Sequence, residues 1–123
     1  MIVEDDIDIR DTLIEMLKME GYDTYQAGNG LQALDSLKLL AQKQETPGLI
    51  LLDLMMPVMD GITFLKEIEC NYKEFQRIPI VVASASLDFV SNTKLDFAVE
   101  KMAKPLDIDL IYQVVRRHCG SPN

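Results

Sequence analysis

Glu4 and Asp5 follow a first apolar run, Ile2-Val3, and Asp53 follows a second, Leu49-Ile50-Leu51-Leu52. Ser84 closes Ile80-Val81-Val82-Ala83, and Lys104 comes just after a weaker run, Val99 to Met102. Brought together, Glu4, Asp5 and Asp53 would concentrate three negative charges. Unit charges about 4 Å apart repel by roughly 4 kcal/mol at an effective dielectric of about 20. Such a group must either protonate or recruit a cation. Carboxylates without sulfur or imidazole suit a hard divalent ion, Mg²⁺ above all. With the Lys104 ammonium included the site would be neutral. Together with the Ser84 hydroxyl it could hold a phosphoryl group and stabilise the charge on its equatorial oxygens. One carboxylate could then be the nucleophile and form an aspartyl phosphate.

Such chemistry needs elements that carry residues 4, 53, 84 and 104 to one place. Ile2-Val3 reads as the end of a buried strand, and its shortness is expected if the natural chain starts before residue 1. Ile9, Leu13, Met16 and Leu17 repeat at helical spacing over Asp8 to Glu20, and Gly21 is a suitable residue to end that helix. Tyr22 to Gln26 alternates as a short strand. After the Asn29-Gly30 turn signal, Leu31, Leu34, Leu37 and Leu40-Ala41 make a second helix, and Gln42 to Gly48 is a polar loop. Leu49 to Leu52 suits a strand covered on both faces. Ile62 to about Cys70 makes a third helix with Ile62, Leu65 and Ile68 on one face, and Ile80 to Ala83 a further strand. Leu87 to Phe97 reads as a helix, Val99 to Met102 as a fifth strand, and a last helix, capped by Asp107 or Asp109, runs to about His118 with Ile111, Val114 and Val115 inward. Alternating strands and helices with short connections imply an α/β fold, a doubly wound parallel sheet with helices on both faces. In such sheets ligands bind outside the carboxyl ends of the strands, where the candidate residues stand.

Composition narrows the classes. The 123 residues carry 12 basic and 20 acidic side chains, a net charge of −8. That balance disfavours nucleic acid and anionic membranes as partners, since both select clustered Lys and Arg. No stretch approaches the ~20 apolar residues of a membrane span, and no signal peptide is visible. The chain is long enough for one domain, residues 1–123, with a core burying roughly 65–70% of its unfolded surface. Cys70 and Cys119 show no metal-site or redox spacing and are expected as free thiols in a reducing cytoplasm. His118 is expected at an exposed helix end, where the dipole favours it.

Taken together, Glu4-Asp5, the stretch Asp53-Leu54-Met55-Met56-Pro57-Val58-Met59-Asp60-Gly61, Ser84-Ala85 and Lys104-Pro105 resemble the receiver domain of two-component response regulators, of the chemotaxis-regulator kind. The resemblance covers essentially the whole chain and implies a flavodoxin-like five-stranded sheet of order 2-1-3-4-5. It implies that Asp53 accepts a phosphoryl group from a phosphohistidine on a sensor histidine kinase or phosphotransfer protein. Asp5 would ligate Mg²⁺ directly, Glu4 through water, and Met55 through its backbone carbonyl, with Asp53 itself in the metal site. Ser84 would hydrogen-bond the phosphoryl group, Lys104 would pair with phosphoryl or carboxylate oxygens, and Pro105 would hold the Lys104 loop in a cis peptide. Pro57 and Asp60-Gly61 would shape the loop after Asp53. The acidic pair could be Glu4-Asp5 or Asp5-Asp6; spacing to Gly21 favours the first, leaving Asp6 to begin the first helix.

The resemblance further implies a conformational change, slow self-catalysed dephosphorylation, an unnamed downstream protein or output domain, and room for a phosphorylation-dependent homodimer. No basic recognition helix follows His118, so no DNA binding is expected through this domain. The pattern departs from the family in two places. Lys101 stands where the family usually has an aromatic residue that moves on activation, with Phe97 and Tyr112 nearby but out of line, and Gln42 to Thr46 lengthens the second connection. The first departure is the basis of an alternative function, an interaction domain independent of phosphorylation. A phosphatase with an aspartate nucleophile is a third possibility, but such enzymes usually carry an acidic residue two positions on, where this chain has Met55.

Overall fold

The structure, a computed structural model, describes residues 1–54, 56, 58–85 and 100–121. Five parallel strands, β1 (Ile2–Val3), β2 (Gln26–Ala27), β3 (Ile50–Asp53), β4 (Ile80–Ser84) and β5 (Glu100–Ala103), form one sheet in the order β2-β1-β3-β4-β5. Four α-helices flank them among the described residues: α1 (Ile7–Met19), α2 (Gly30–Gln42) and α3 (Gly61–Asn71) between strands, and α4 (Ile108–Cys119) after β5. This is the flavodoxin-like doubly wound arrangement expected from the sequence. The helix expected over Leu87 to Phe97 lies outside the described residues.

The period-two alternation of strand side chains divides the core between the sheet's faces. Val3, Ile50, Leu52, Ile80 and Val82 point toward α2 and α3, where Leu34, Leu37, Phe64, Leu65 and Ile68 cover them. Ile2, Val81 and Met102 point the other way, under Leu13, Ile14 and Leu17 of α1 and Ile111, Val114 and Val115 of α4. Each helix starts on a side-chain cap that satisfies otherwise unpaired N–H groups. Asp6 accepts from the N–H of Asp8 and Ile9, Asn29 from Gln32, Asp60 from Thr63, and Asp107 from Asp109 and Leu110. Gly21, at φ 92°, takes the left-handed conformation that follows α1.

Several boundaries differ from those read along the chain. β2 is two residues, because β1 offers only Ile2 and Val3 for pairing, to Gln26 and Ala27. The Tyr22 end of the expected strand instead packs against the α1 and α4 layer, and its hydroxyl donates to the Gly120 carbonyl at 2.7 Å. On α1 the inward face is Leu13, Ile14 and Leu17, and Ile9 is exposed; on α2 Leu31 is exposed and Ala33 inward. On α3 Phe64 takes the central place and Ile62 the margin. A 3₁₀ turn, Lys73–Arg77, was not anticipated, since one buried residue, Phe75, anchors it within a polar stretch and leaves no period to read. No helix among the described residues is long and apolar enough to cross a membrane.

Candidate functional site

Register alone gathers the site. Val3 pairs with Leu52, Asp53 with Ala83, and Ser84 with Ala103. Glu4, Asp53, Ser84 and Lys104 therefore leave neighbouring strands at the same carboxyl edge, with the Lys104 N–H donating to the Ser84 carbonyl at 3.0 Å. Each polar side chain comes directly after apolar residues fixed in the sheet, so the sheet dictates its position.

Glu4, Asp53 and Ser84 are buried, and Asp5 is exposed beside them. Among the described residues, Glu4, Asp5 and Asp53 offer carboxylate oxygens that lie within 4.8 Å of one another. Lys104 Nζ donates to Asp53 Oδ1 at 2.9 Å. Burial works against the ammonium's charge, but the hydrogen bond and charge of Asp53, with Glu4 and Asp5 behind it, outweigh that and hold the Lys104 pKa above its ordinary value. Glu4 responds oppositely. Burial first, then its hydrogen bond to Asp53 and the charges of Asp53 and Asp5, push its pKa up to about 8, with Lys104 opposing. Burial and its acidic neighbours thus favour the protonated form of Glu4 in the metal-free site. Its Oε2 is buried without a hydrogen-bond partner, a position that normally calls for water or an ion. Oxygen-only donors at this spacing, one of them orphaned, fit a hard divalent cation. Met55, expected to add its carbonyl, and Pro57 lie outside the described residues.

The segment after Asp53 is held from two sides. Gly30 N–H donates to the Met59 carbonyl and Gly61 N–H to the Leu54 carbonyl. Gly61 starts α3 directly against the end of β3: a methyl there would come within 2.7 Å of Leu54 Cα and 2.8 Å of the Asp53 carbonyl. Backbone cannot yield as a side chain does, so Gly61→Ala is expected to push α3 off the strand end and lower stability by about 1–3 kcal/mol. Urea unfolding measures the loss, and displaced Asp53 and Leu54 amide resonances locate it. Val58 in the same segment is exposed and has φ 67°, a left-handed conformation rarely adopted by a β-branched residue. The Lys104–Pro105 peptide is cis, as expected.

The Glu4-Asp5 pairing, rather than Asp5-Asp6, faces Asp53, because Asp6 is spent on capping α1. Lys101 is an exposed β5 residue opposite Val82, in the position where the family usually has an aromatic. His118 is not the solvated helix end that its position suggested. It is half-buried, with Nε2 2.7 Å from Glu100 Oε1, and Arg117 holds the same carboxylate, which keeps the Glu100 pKa low. Cys70 and Cys119 are free. Arg10, which contacts the Glu4 backbone, went unnoticed in the sequence; a cation in the first turn after an acidic pair was the available signal.

The sequence matches the family model of the response regulator receiver domain over residues 1–116. It is 42% identical over 118 residues to the sporulation initiation phosphotransferase F of Bacillus subtilis, covering 96% of this chain and 90% of that protein. It is 34% identical over 129 residues to a CpxR homolog, a transcriptional regulatory protein of Haemophilus influenzae, where it covers 100% of this chain but 52% of the relative. Among solved structures, the receiver domain of a sensor histidine kinase from Pseudomonas aeruginosa PAO1, with magnesium ion coordinated in the active site cleft, superposes with a TM-score of 0.74 at 27% identity over 98% of this chain and 95% of that one. A family match across nearly the whole chain, on a fold with the same strand order, places this chain in the response regulator receiver domain family of two-component signalling.

Proposed function

We propose that this domain is a phosphoacceptor switch in which Asp53 is the nucleophile. The observation that carries the proposal is the buried Asp53 carboxylate, gripped by Lys104 at 2.9 Å and facing an oxygen-only acidic cluster. An Asp53 carboxylate oxygen attacks the phosphorus of a phosphohistidine. A P–O bond forms, the P–N bond breaks, and the imidazole leaves with a proton taken from solvent. Lys104 and the Ser84 hydroxyl take up the charge on the transferring oxygens, and Glu4, Asp5, Asp53 and the Met55 carbonyl would hold Mg²⁺. The ion supplies positive charge to the phosphoryl oxygens when bound. Water attack on the acyl phosphate later resets the switch.

The B. subtilis relative is by name a phosphotransferase, and the Pseudomonas domain holds magnesium in its cleft and belongs to a sensor histidine kinase. Both support phosphoryl transfer from a kinase or phosphotransfer protein; a cytoplasmic setting is part of the proposal and rests on the sequence alone. An apolar groove formed by Ile9, Pro105, Leu106 and Ile108 adjoins Lys104 and offers the donor protein a seat beside the nucleophile. Signalling onward goes to a downstream protein or output domain, with a phosphorylation-dependent homodimer as one form it can take, and Lys101 requires a readout other than an aromatic side chain. A phosphorylation-independent interaction domain has little in its favour, because the full set of acids, hydroxyl and lysine is retained. Incubation with acetyl phosphate is the test: mass spectrometry should show one added phosphoryl group with Mg²⁺ and none with a chelator. No uptake under either condition would sink the proposal.

A further inference from the structure

Glu4 is the first residue beyond β1, where the ladder no longer serves its carbonyl. Its N–H donates to the Ala27 carbonyl at 3.0 Å, and its carbonyl accepts from Arg10 Nη1 at 3.0 Å. Arg10 Nε donates at the same time to Gln26 Oε1 at 3.1 Å. Gln32 closes the corner by accepting from the Gly28 N–H at 2.7 Å. Space there is tight: a methyl on Gly28 would lie 3.1 Å from Gln32 Oε1 and 3.2 Å from Arg10 Nη1. The guanidinium therefore spans from the acidic loop to β2 with two donors in fixed relative geometry.

On charge alone this placement is unfavourable. Arg10 stands in the first turn of α1, where the helix dipole favours anions. It also sits one residue's backbone away from a cluster suited to a divalent cation, which it repels. Its geometry supplies the compensating role. The Glu4 carbonyl belongs to the planar peptide that ends at the Asp5 nitrogen. Holding both the Glu4 N–H and its carbonyl on the β2 side fixes the backbone that aims both carboxylates toward Asp53. We propose that Arg10 is a positioning residue for the cation site, bracing the Glu4-Asp5 peptide so that the two acids converge; this rests on the assignment of that cluster to Mg²⁺.

Calorimetric titration with Mg²⁺ of the wild type, Arg10→Lys and Arg10→Gln tests it. Lysine keeps the charge but cannot make both hydrogen bonds, and glutamine removes the charge. Both variants are expected to bind Mg²⁺ about tenfold more weakly, as for other residues that orient metal ligands. Phosphorylation at saturating Mg²⁺ should stay near the wild-type rate while the half-saturating Mg²⁺ concentration rises. The exposed Gln26→Leu, which frees the guanidinium without touching Arg10, should show a smaller loss in the same direction and covers the case of a poorly folding Arg10 variant. If Arg10 is merely a nearby charge, Arg10→Gln will tighten Mg²⁺ binding and Arg10→Lys will leave it unchanged, and either result overturns the proposal. Unchanged affinity in all three variants overturns it too. A wild type that binds no Mg²⁺ overturns the metal assignment as well, which separates the two failures.

Discussion

Asp53→Asn is expected to lower phosphoryl uptake from acetyl phosphate by at least about two orders of magnitude, to the level of non-specific labelling. The substitution preserves shape and volume and removes only the anionic oxygen needed for attack. Lys104 keeps a hydrogen-bond acceptor at position 53, so the edge of the sheet should remain in place. The charge of Asp53 is among the forces that push the Glu4 pKa up, so its loss removes a buried negative charge facing Asp5 and brings the Glu4 pKa down. The variant is therefore expected to unfold in metal-free buffer at the wild-type midpoint or above it, while failing as a phosphoacceptor. Undiminished labelling would place the nucleophile elsewhere. A collapse in stability would mean that Asp53 serves the fold and not the chemistry.

The second large effect is on pH. Without metal, Glu4 holds its proton up to about pH 8, and a cation must displace that proton to use the carboxylate. Mg²⁺ affinity is expected to rise about tenfold per pH unit from about pH 6 to 7, and to level off beyond 8. Titrations in buffers of different ionisation heat should show about one proton released per ion bound at pH 6.5. Stability should move the opposite way. The folded-state pKa of Glu4 lies above its unfolded value near 4.5, so its contribution to stability is complete below that value. It is lost as pH rises toward about 8. The metal-free domain should therefore weaken between pH 5 and 8, and saturating Mg²⁺ should offset the trend. A Mg²⁺ affinity flat across this range would show that Glu4 is already ionised in the free domain.

Much of this site was legible in the sequence because each candidate residue ends an apolar run. Ile50 to Leu52 and Ile80 to Ala83 could only be buried strands, and polar residues directly after them could only stand at the rim. Asp53, Ser84, Lys104 and the Glu4-Asp5 pair followed from that, with strand order supplied by family resemblance. Long-range partnerships were harder to see. Nothing adjacent to His118 announces Glu100, which reaches it from across the sheet edge, and nothing near Arg10 announces Gln26. The faces of α1 and α2 were misjudged at Ile9 and Leu31 for a related reason. Both are apolar at helical spacing, yet stand at helix starts beyond the reach of the sheet they would cover. For titration, the sequence implies only that the cluster must protonate or recruit a cation. That Glu4 is the acid to protonate depends on its burial, which the sequence does not display.

The division of the core by the sheet bears on how such a domain can change over generations. The layer under α2 and α3 and the layer under α1 and α4 share no buried side chain among the described residues. Substitutions in one layer should therefore combine additively with those in the other. A gene duplicate can remodel the α1 and α4 side, where Ile9 and Ile108 lie open, and acquire new acquaintances without retuning the layer that seats α3 behind Asp53. The architecture thus lets exposed positions of the α1 and α4 side diverge while the packing behind Asp53 is inherited unchanged.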